Sequence, residues 1–385
     1  MAKDRVVLDA RLTRQMSAGM QTYVRELAAR LPRVAPDIEF VAITNADLQT
    51  DAHIVRIAQA AARNVSVAEQ VLLPLLIRRC ASGRGRRIAH YMSVYAPRWS
   101  FIPYVYTVHD LIHRRFPEYF SWKIPPFYSL VAAPVAQRAV CVLTDAQATL
   151  PDLRRYLGLR RQRVRVVPLG VSATYALDDN ERERRAERAR AAHDLRRPYF
   201  LYAGNHRRHK NLRTLLKAWA AVRVPCDLVL TEGAQGSHYQ AAYSSRYGGR
   251  VIQVGHLSEQ RLVDVYAGAS AVVQPSLYEG FGLSVLEAMA AGSPVLFAHT
   301  PALAEVAGNA AASFEPLDYT GLAAYMTQIL GDEPLRARLQ AAGRARAAAF
   351  TWDATAEQTA VAYRSALSVC RPYRGRVGRP ANQTT

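Results

Sequence analysis

Short apolar runs alternate with longer amphipathic stretches along the whole chain. In the first half the runs lie near residues 6–9, 40–44, 88–92, 105–109, 140–144 and 164–168. In the second half they lie near residues 199–203, 228–232, 251–254, 271–273, 295–298 and 312–314. Runs this short, bounded by turn-forming residues, read as strands, and the stretches between them read as helices. Strands separated by helices pair in parallel, so the pattern predicts an α/β protein with two parallel-sheet domains. The seam falls between Gly170 and Pro198, where residues 181–188 are almost all charged and read as a solvated helix or linker. We therefore expect a first domain over residues 1–180 and a second over 181–352. A last helix covers about 354–367, and residues 371–385, rich in Pro, Gly and Arg without apolar period, read as a disordered tail.

The most informative stretch follows the run at 271–273. It reads Gln274-Pro275-Ser276-Leu277-Tyr278-Glu279-Gly280-Phe281-Gly282-Leu283-Ser284-Val285-Leu286-Glu287-Ala288-Met289-Ala290-Ala291-Gly292. Glu279 sits at the mouth of a strand-to-helix loop, and Glu287 lies about two helical turns further on. Gly280 and Gly282 let backbone pass close to a ligand, and the helix N-terminus behind them suits an anion. Carboxylates there can accept bonds from sugar or ribose hydroxyls. A second glycine-led loop, Gly204-Asn205-His206-Arg207-Arg208-His209-Lys210-Asn211-Leu212, joins a strand to a helix and has the makings of a diphosphate site. In the first domain, Gly19 stands at a helix start, and Thr107-Val108-His109-Asp110-Leu111 ends a strand. Taken singly, the glutamate stretch also reads as a surface helix with a tight turn, the basic loop as a solvated loop, and His109 as a structural histidine at a strand end.

Taken together the motifs resemble those of the retaining glycosyltransferases of family 4, which have the GT-B fold: two Rossmann-like parallel-sheet domains facing across a cleft. The stretch with Glu279 and Glu287 resembles that family's E-x7-E motif. The basic loop resembles G-x4-R-K-N-L, with His209 standing where an arginine is usual, and Arg208 is the nearest replacement. Gly19, Tyr23, Glu26 and Leu27 resemble G-I-G-x-Y-x-x-E-L, with Gln21 in place of a second glycine. His109 resembles the histidine of T-x-H-D-L. The likeness runs from about Val6 to Leu367. It implies that residues 353–370 form a helix crossing back to the first domain. It also implies roles: Lys210 and Arg208 on the diphosphate, Glu287 on the ribose, and Glu279 with the backbone of Gly280, Phe281, Gly282 and Leu283 on the sugar. Gly19 and His109 complete the site from the other domain, and the catalytic set is Glu279, His109 and Lys210.

Composition narrows the picture. The formal net charge is +19, and all but Lys3, Lys123, Lys210 and Lys217 of the cationic side chains are arginine. A basic surface suits an anionic partner, and arginine bias equally suits a GC-rich genome. No nucleic-acid signature accompanies the charge, so no nucleic-acid partner is expected. The four cysteines make no metal or disulfide pattern, which fits a reduced cytoplasmic setting. The first residues run straight into an apolar run too short for a signal peptide, and no run is long enough to span a membrane. The apolar residues 71–77, followed by Arg78, Arg79, Arg84, Arg86 and Arg87, offer a peripheral seat on the inner face of the plasma membrane.

The expected activity is transfer of a hexose, with mannose from GDP-mannose favoured, to a glycan or polyprenyl-diphosphate-linked acceptor in surface polysaccharide or lipopolysaccharide synthesis. No cofactor is expected, since the nucleotide-sugar is a substrate. The absence of a D-x-D motif suggests metal-independent chemistry. Three alternatives remain: transfer from a UDP-sugar, a UDP-sugar 2-epimerase, and a non-catalytic sugar-nucleotide-binding module.

Overall fold

The computed structural model describes residues 3–12, 16–56, 66–82, 85–232, 243, 245 and 247–371. Residues 372–385 of the expected tail, and Arg84, lie outside the described residues.

Strands β1 (Asp4–Asp9), β2 (Ile38–Thr44), β3 (His53–Arg56), β4 (Arg87–Tyr91), β5 (Tyr104–Thr107), β6 (Cys141–Thr144) and β7 (Val164–Val166) form one parallel sheet. Their order is β3-β2-β1-β4-β5-β6-β7. Strands β8 (Tyr199–Tyr202), β9 (Asp227–Thr231), β10 (Val251–Gly255), β11 (Ala271–Gln274), β12 (Val295–Ala298) and β13 (Ala312–Phe314) form a second parallel sheet, ordered β10-β9-β8-β11-β12-β13. Side chains alternate along β1, so Val6 and Leu8 enter one core and Val7 enters another on the opposite face. Burial on both faces is why these strands read as continuous apolar runs.

One strand escaped the sequence pattern. β3 is an edge strand of four residues, and its end residues His53 and Arg56 are exposed. With one side open to water it needs no apolar run.

The last helix, Trp352–Ser368, lies against the helix Ala18–Val34 of the first sheet. Its Tyr363 hydroxyl meets Nδ1 of the fully buried His90 at 2.6 Å, and His90 Nε2 meets the Thr107 hydroxyl at 2.7 Å. Thr107 in turn meets the Tyr23 hydroxyl at 3.1 Å. Burial, with the nearby His109 adding, pushes His90 down to about 3, so the ring is neutral and offers one donor and one acceptor to this chain of bonds.

The polypeptide passes between the sheets twice, and the two passages touch. Val171 bridges to Thr351, its N–H donates to the Phe350 carbonyl at 3.1 Å, and the Thr355 hydroxyl donates to the Pro168 carbonyl at 2.8 Å. A Cβ at Gly170 would fall 2.1 Å from the Trp352 nitrogen. Backbone cannot yield as a flexible side chain can, so Gly170→Ala is expected to cost about 1–3 kcal/mol. Gly331→Ala, at a helix end where a Cβ meets open space, should gain a few tenths to about 1 kcal/mol. Urea unfolding of both variants checks this. A Gly170→Ala midpoint no lower than that of the parent would contradict it.

Candidate active site in the interdomain cleft

In each sheet the strand order reverses once, between β1 and β4 and between β8 and β11. Loops leaving adjacent strands at such a point diverge to opposite faces and open a crevice beyond the strands' carboxyl ends. In the second sheet those two loops are the basic one, after Tyr202, and the acidic one, after Gln274.

The basic loop is held by its own polar groups. Gly204, at φ 151°, donates its N–H to the Thr231 hydroxyl at 3.0 Å. Residues Arg208–Lys210 make one tight turn, and Asn211 leaves it at φ 55°. Asparagine tolerates this left-handed conformation. Its amide donates to the carbonyls of Pro275, at 3.0 Å, and Pro316, at 2.6 Å. Asn211 thereby ties the basic loop to the acidic one.

The tie brings Lys210 Nζ to 2.6 Å from Glu279 Oε1, and Gln274 Nε2 donates to the same oxygen at 2.7 Å. Burial pushes the Glu279 carboxyl up. The Lys210 ammonium and the Ser276 hydroxyl outweigh that and hold it below its ordinary value. Glu287 has no such cation among the described residues. It lies on the helix Leu283–Ala290 and accepts from the Tyr266 hydroxyl at 3.1 Å. Burial, with Glu259 adding and Tyr266 opposing, pushes it up to about 7.

Gly282, at φ 124°, precedes that helix and gives it no side-chain cap. A Cβ at Gly280 would fall 2.4 Å from the His109 carbonyl oxygen, so only glycine lets the two domains approach there. A Cβ at Gly19 would meet Leu283 Cδ1 at 3.0 Å. The structure thus brings Gly19, His109, Lys210, Glu279, Gly280, Gly282 and Leu283 to one cleft. Phe281 turns its ring away, buried against Phe350 at 6.0 Å between centroids, which leaves its backbone for a ligand. Arg208 is exposed and lies over the Tyr119 ring of the first domain at 6.0 Å.

His109 is fixed rather than free. Nδ1 lies 2.8 Å from Asp145 Oδ2 and Nε2 lies 3.2 Å from the Met92 carbonyl. These bonds favour a positive charge on the ring, while burial also raises the Asp145 carboxyl. Burial opposes that charge, and the Asp145 carboxylate, with the Met92 bond, raises the ring above its ordinary range. In this arrangement neither nitrogen is open to a sugar hydroxyl. Its neighbour Asp110 accepts from the Ile112 N–H at 3.0 Å and so shapes its own loop. His209 differs. It is buried, stacks near Phe120 at 6.2 Å, and its Nδ1 has no hydrogen-bond partner among the described residues. Burial, with Lys210 adding, pushes it down to about 4, so it is neutral.

Sequence reasoning missed three groups. Asp145 lies level with His109 because Thr107 pairs with Leu143 on the adjacent strand, a register that the sequence pattern alone does not give. Glu305 accepts from the N–H groups of Gln147 and Ala148 at 2.9 Å each, across the cleft. Tyr278 donates across it to Asp152 at 2.9 Å. The last two pairs join distant parts of the chain, and no local pattern marks them.

Residues 17–175 match the family model described as Glycosyltransferase Family 4, and residues 183–346 match the one described as Glycosyl transferases group 1. O-antigen chain mannosyltransferase B of Escherichia coli is 34% identical over 174 residues, 43% of this chain and 45% of that protein. D-inositol 3-phosphate glycosyltransferase of Xylanimonas cellulosilytica is 29% identical over 280 residues, 68% of this chain and 66% of that protein. The chain thus spans 45% of the length of the first relative and 66% of that of the second. Sucrose-phosphate synthase from Thermosynechococcus elongatus has the same fold, with a TM-score of 0.73 at 22% identity over 95% of this chain and 99% of that one.

Two predictions rest on the carboxylates. Because Lys210 depresses Glu279, the pair stabilises the fold above the ordinary glutamate range. That stability is lost as the pH falls through the lower folded value. Lys210→Ala strands a buried carboxylate and is expected to cost about 3–5 kcal/mol near neutral pH. Adding Glu279→Gln should recover most of that, as a denaturation double-mutant cycle would read; strict additivity would disprove the coupling. Glu287 is expected to ionise as the pH rises through about 7, becoming a stronger acceptor for hydroxyl groups. Affinity for nucleoside diphosphate should then rise about tenfold between about pH 6 and pH 8, and Glu287→Gln should abolish the part of that slope due to Glu287. Calorimetric titration of both proteins over that range is the check, and identical slopes would exclude the role.

Proposed function

The chain belongs to glycosyltransferase family 4, and from that membership we propose that it transfers a hexose, mannose from GDP-mannose, to a saccharide acceptor with retention of anomeric configuration. The observation that carries the reading is the Lys210–Glu279 pair, 2.6 Å long, at the strand-order reversal of the second sheet. Lys210 faces the departing diphosphate with Arg208 at the cleft rim, and charge built up on the leaving oxygen is met by that ammonium. Glu287 accepts from the ribose hydroxyls. Glu279, with the backbone of Gly280 to Leu283, holds the hexose. Mannosyltransferases among the relatives support the choice of sugar.

The reaction needs no nucleophile from the protein. The acceptor oxygen bonds to the anomeric carbon as the carbon–phosphate oxygen bond breaks on the same face. The acceptor's proton passes to the departing diphosphate. Glu279 is a poor base for this step, because Lys210 and Gln274 already occupy it and its affinity for a proton is depressed. Its work is to orient the sugar, so Glu279→Ala should lower turnover more than nucleotide binding.

Incubation with a panel of nucleotide-sugars tests the donor. GDP-mannose should raise the melting temperature and hydrolyse slowly without acceptor, while UDP-glucose and UDP-N-acetylglucosamine should do neither. Cations of the protein meet the diphosphate charge on this reading, so activity should survive EDTA. Loss in chelator restored by Mg2+ or Mn2+ would overturn the metal-independent mechanism. Conversion of a UDP-sugar to its 2-epimer without acceptor would replace the reading with an isomerase.

A further inference from the structure

We infer that one face of the first domain seats on an anionic lipid bilayer: the helix Val67–Cys80, the loop of residues 92–103 and the segment of residues 120–138. This face carries large apolar side chains that no described residue covers. Val71, Leu72 and Leu75 project from the helix, whereas Leu73 and Ile77 of the same helix are buried in the core. Trp99 is 62% exposed and Trp122 78% exposed, with Phe101 and Leu130 also outside. Exposed tryptophans in a patch are unusual on a monomer and common at membrane interfaces.

The three segments make one surface. The Arg98 N–H donates to Gln70 Oε1 at 2.7 Å, the Arg78 guanidinium lies 5.4 Å from the Phe101 ring centre, and Arg138 lies 5.3 Å from that of Trp99. Lys123 lies 5.7 Å from the Trp122 ring centre. Charge chooses the occupant. Residues 70–80, 92–103 and 120–138 contain no Asp or Glu, while Arg78, Arg79, Arg98, Lys123 and Arg138 are all exposed. The neighbouring Glu69 is buried and paired with Arg11 at 2.8 Å. A second copy would set cations against cations. A bilayer would take the aromatic and aliphatic groups below its headgroups and the cations against its phosphates.

The basic group differs from the sequence expectation. Arg86 is paired with Asp4 at 2.8 Å, and Arg87 is buried and donates to the Ala81 carbonyl, so neither belongs to this face. The loop after β4 and the segment after β5 leave the carboxyl ends of their strands, the ends that also carry Met92 and His109. Seating this face therefore turns the first-domain side of the cleft toward lipid. That deepens the proposed function by making the acceptor a lipid-linked saccharide, but the contact rests on the surface alone.

Flotation with phosphatidylcholine vesicles containing about one quarter phosphatidylglycerol tests it at low salt. The protein should float with these and not with pure phosphatidylcholine. Arg78→Gln, Arg79→Gln and Arg98→Gln together should weaken binding about a hundredfold, at roughly fivefold per cation. Trp99→Ser with Phe101→Ser should weaken it about tenfold or more. Both variants should keep the parent's circular dichroism and melting temperature. No flotation on the anionic vesicles would overturn the inference, as would flotation untouched by either variant. So would variants that abolish only a concentration-dependent dimer in sedimentation, since a second copy would then own the face. Transfer to a soluble acceptor, assayed separately, reports on the enzyme whatever the vesicles do.

Discussion

Lys210 and Glu279 meet at 2.6 Å because β8 and β11 are neighbours whose loops must diverge. Asn211 then draws the loops back together through two carbonyls. Both side chains are mostly buried, at 16% and 15% exposure. Neither charge would be tolerated there without the other, because desolvation of a single ion costs several kcal/mol. The pair is thus electrically balanced, and its geometry is fixed by its own partners. A bound diphosphate adds anions beside Lys210. The ammonium, with three donors, can serve a phosphate while still holding Glu279. The neutral His209 ring, whose Nδ1 has no hydrogen-bond partner among the described residues, lies next to this exchange.

The two domains are joined by backbone as much as by side chains. Gly170 lies against Trp352 where the chain passes between sheets, and Gly280 lies against the His109 carbonyl on the cleft side. Glycine at both contacts removes the Cβ that would hold the backbones apart. Glu305 capping the Gln147–Ala148 amides and Tyr278 reaching Asp152 add polar closure around the cleft. These contacts are few and partly exposed, whereas the passage at Gly170 is packed backbone on backbone. Opening of the cleft would therefore break the former and turn about the latter.

Much of this was legible in the sequence, for a physical reason. Buried parallel strands are continuous apolar runs, so twelve of the thirteen strands announced themselves; β3, half solvated at an edge, did not. The loops at the strand-order reversal were legible because glycines, Asn211 and the charged pair are local in sequence. What was not legible is what the fold assembles from distant parts. Asp145 holds His109, Glu305 caps a turn over one hundred and fifty residues away, and Asn211 reaches Pro316. The likeness of motifs put His109 in the cleft, and the structure adds that its nitrogens are already engaged. The exposed tryptophans could not be told from core aromatics, since composition and period are the same for both.

The two glutamates that first mark the sequence are shifted in opposite directions. They are the same residue type, eight positions apart, in one loop–helix unit. Glu279 has an ammonium at 2.6 Å and stays ionised; Glu287 has a phenol at 3.1 Å, another carboxylate nearby, and is pushed up to about 7. Environment, not chemistry, divides them. A carboxylate beside the bond that breaks must not take protons, because one that did would lose its hold on Lys210 and on the sugar together. A carboxylate at the ribose has no such constraint, since the ribose takes no part in bond breaking. The cation therefore sits at the first glutamate and not the second. On the proposed reading, that asymmetry suits Glu279 to the reacting end of the donor and Glu287 to the ribose.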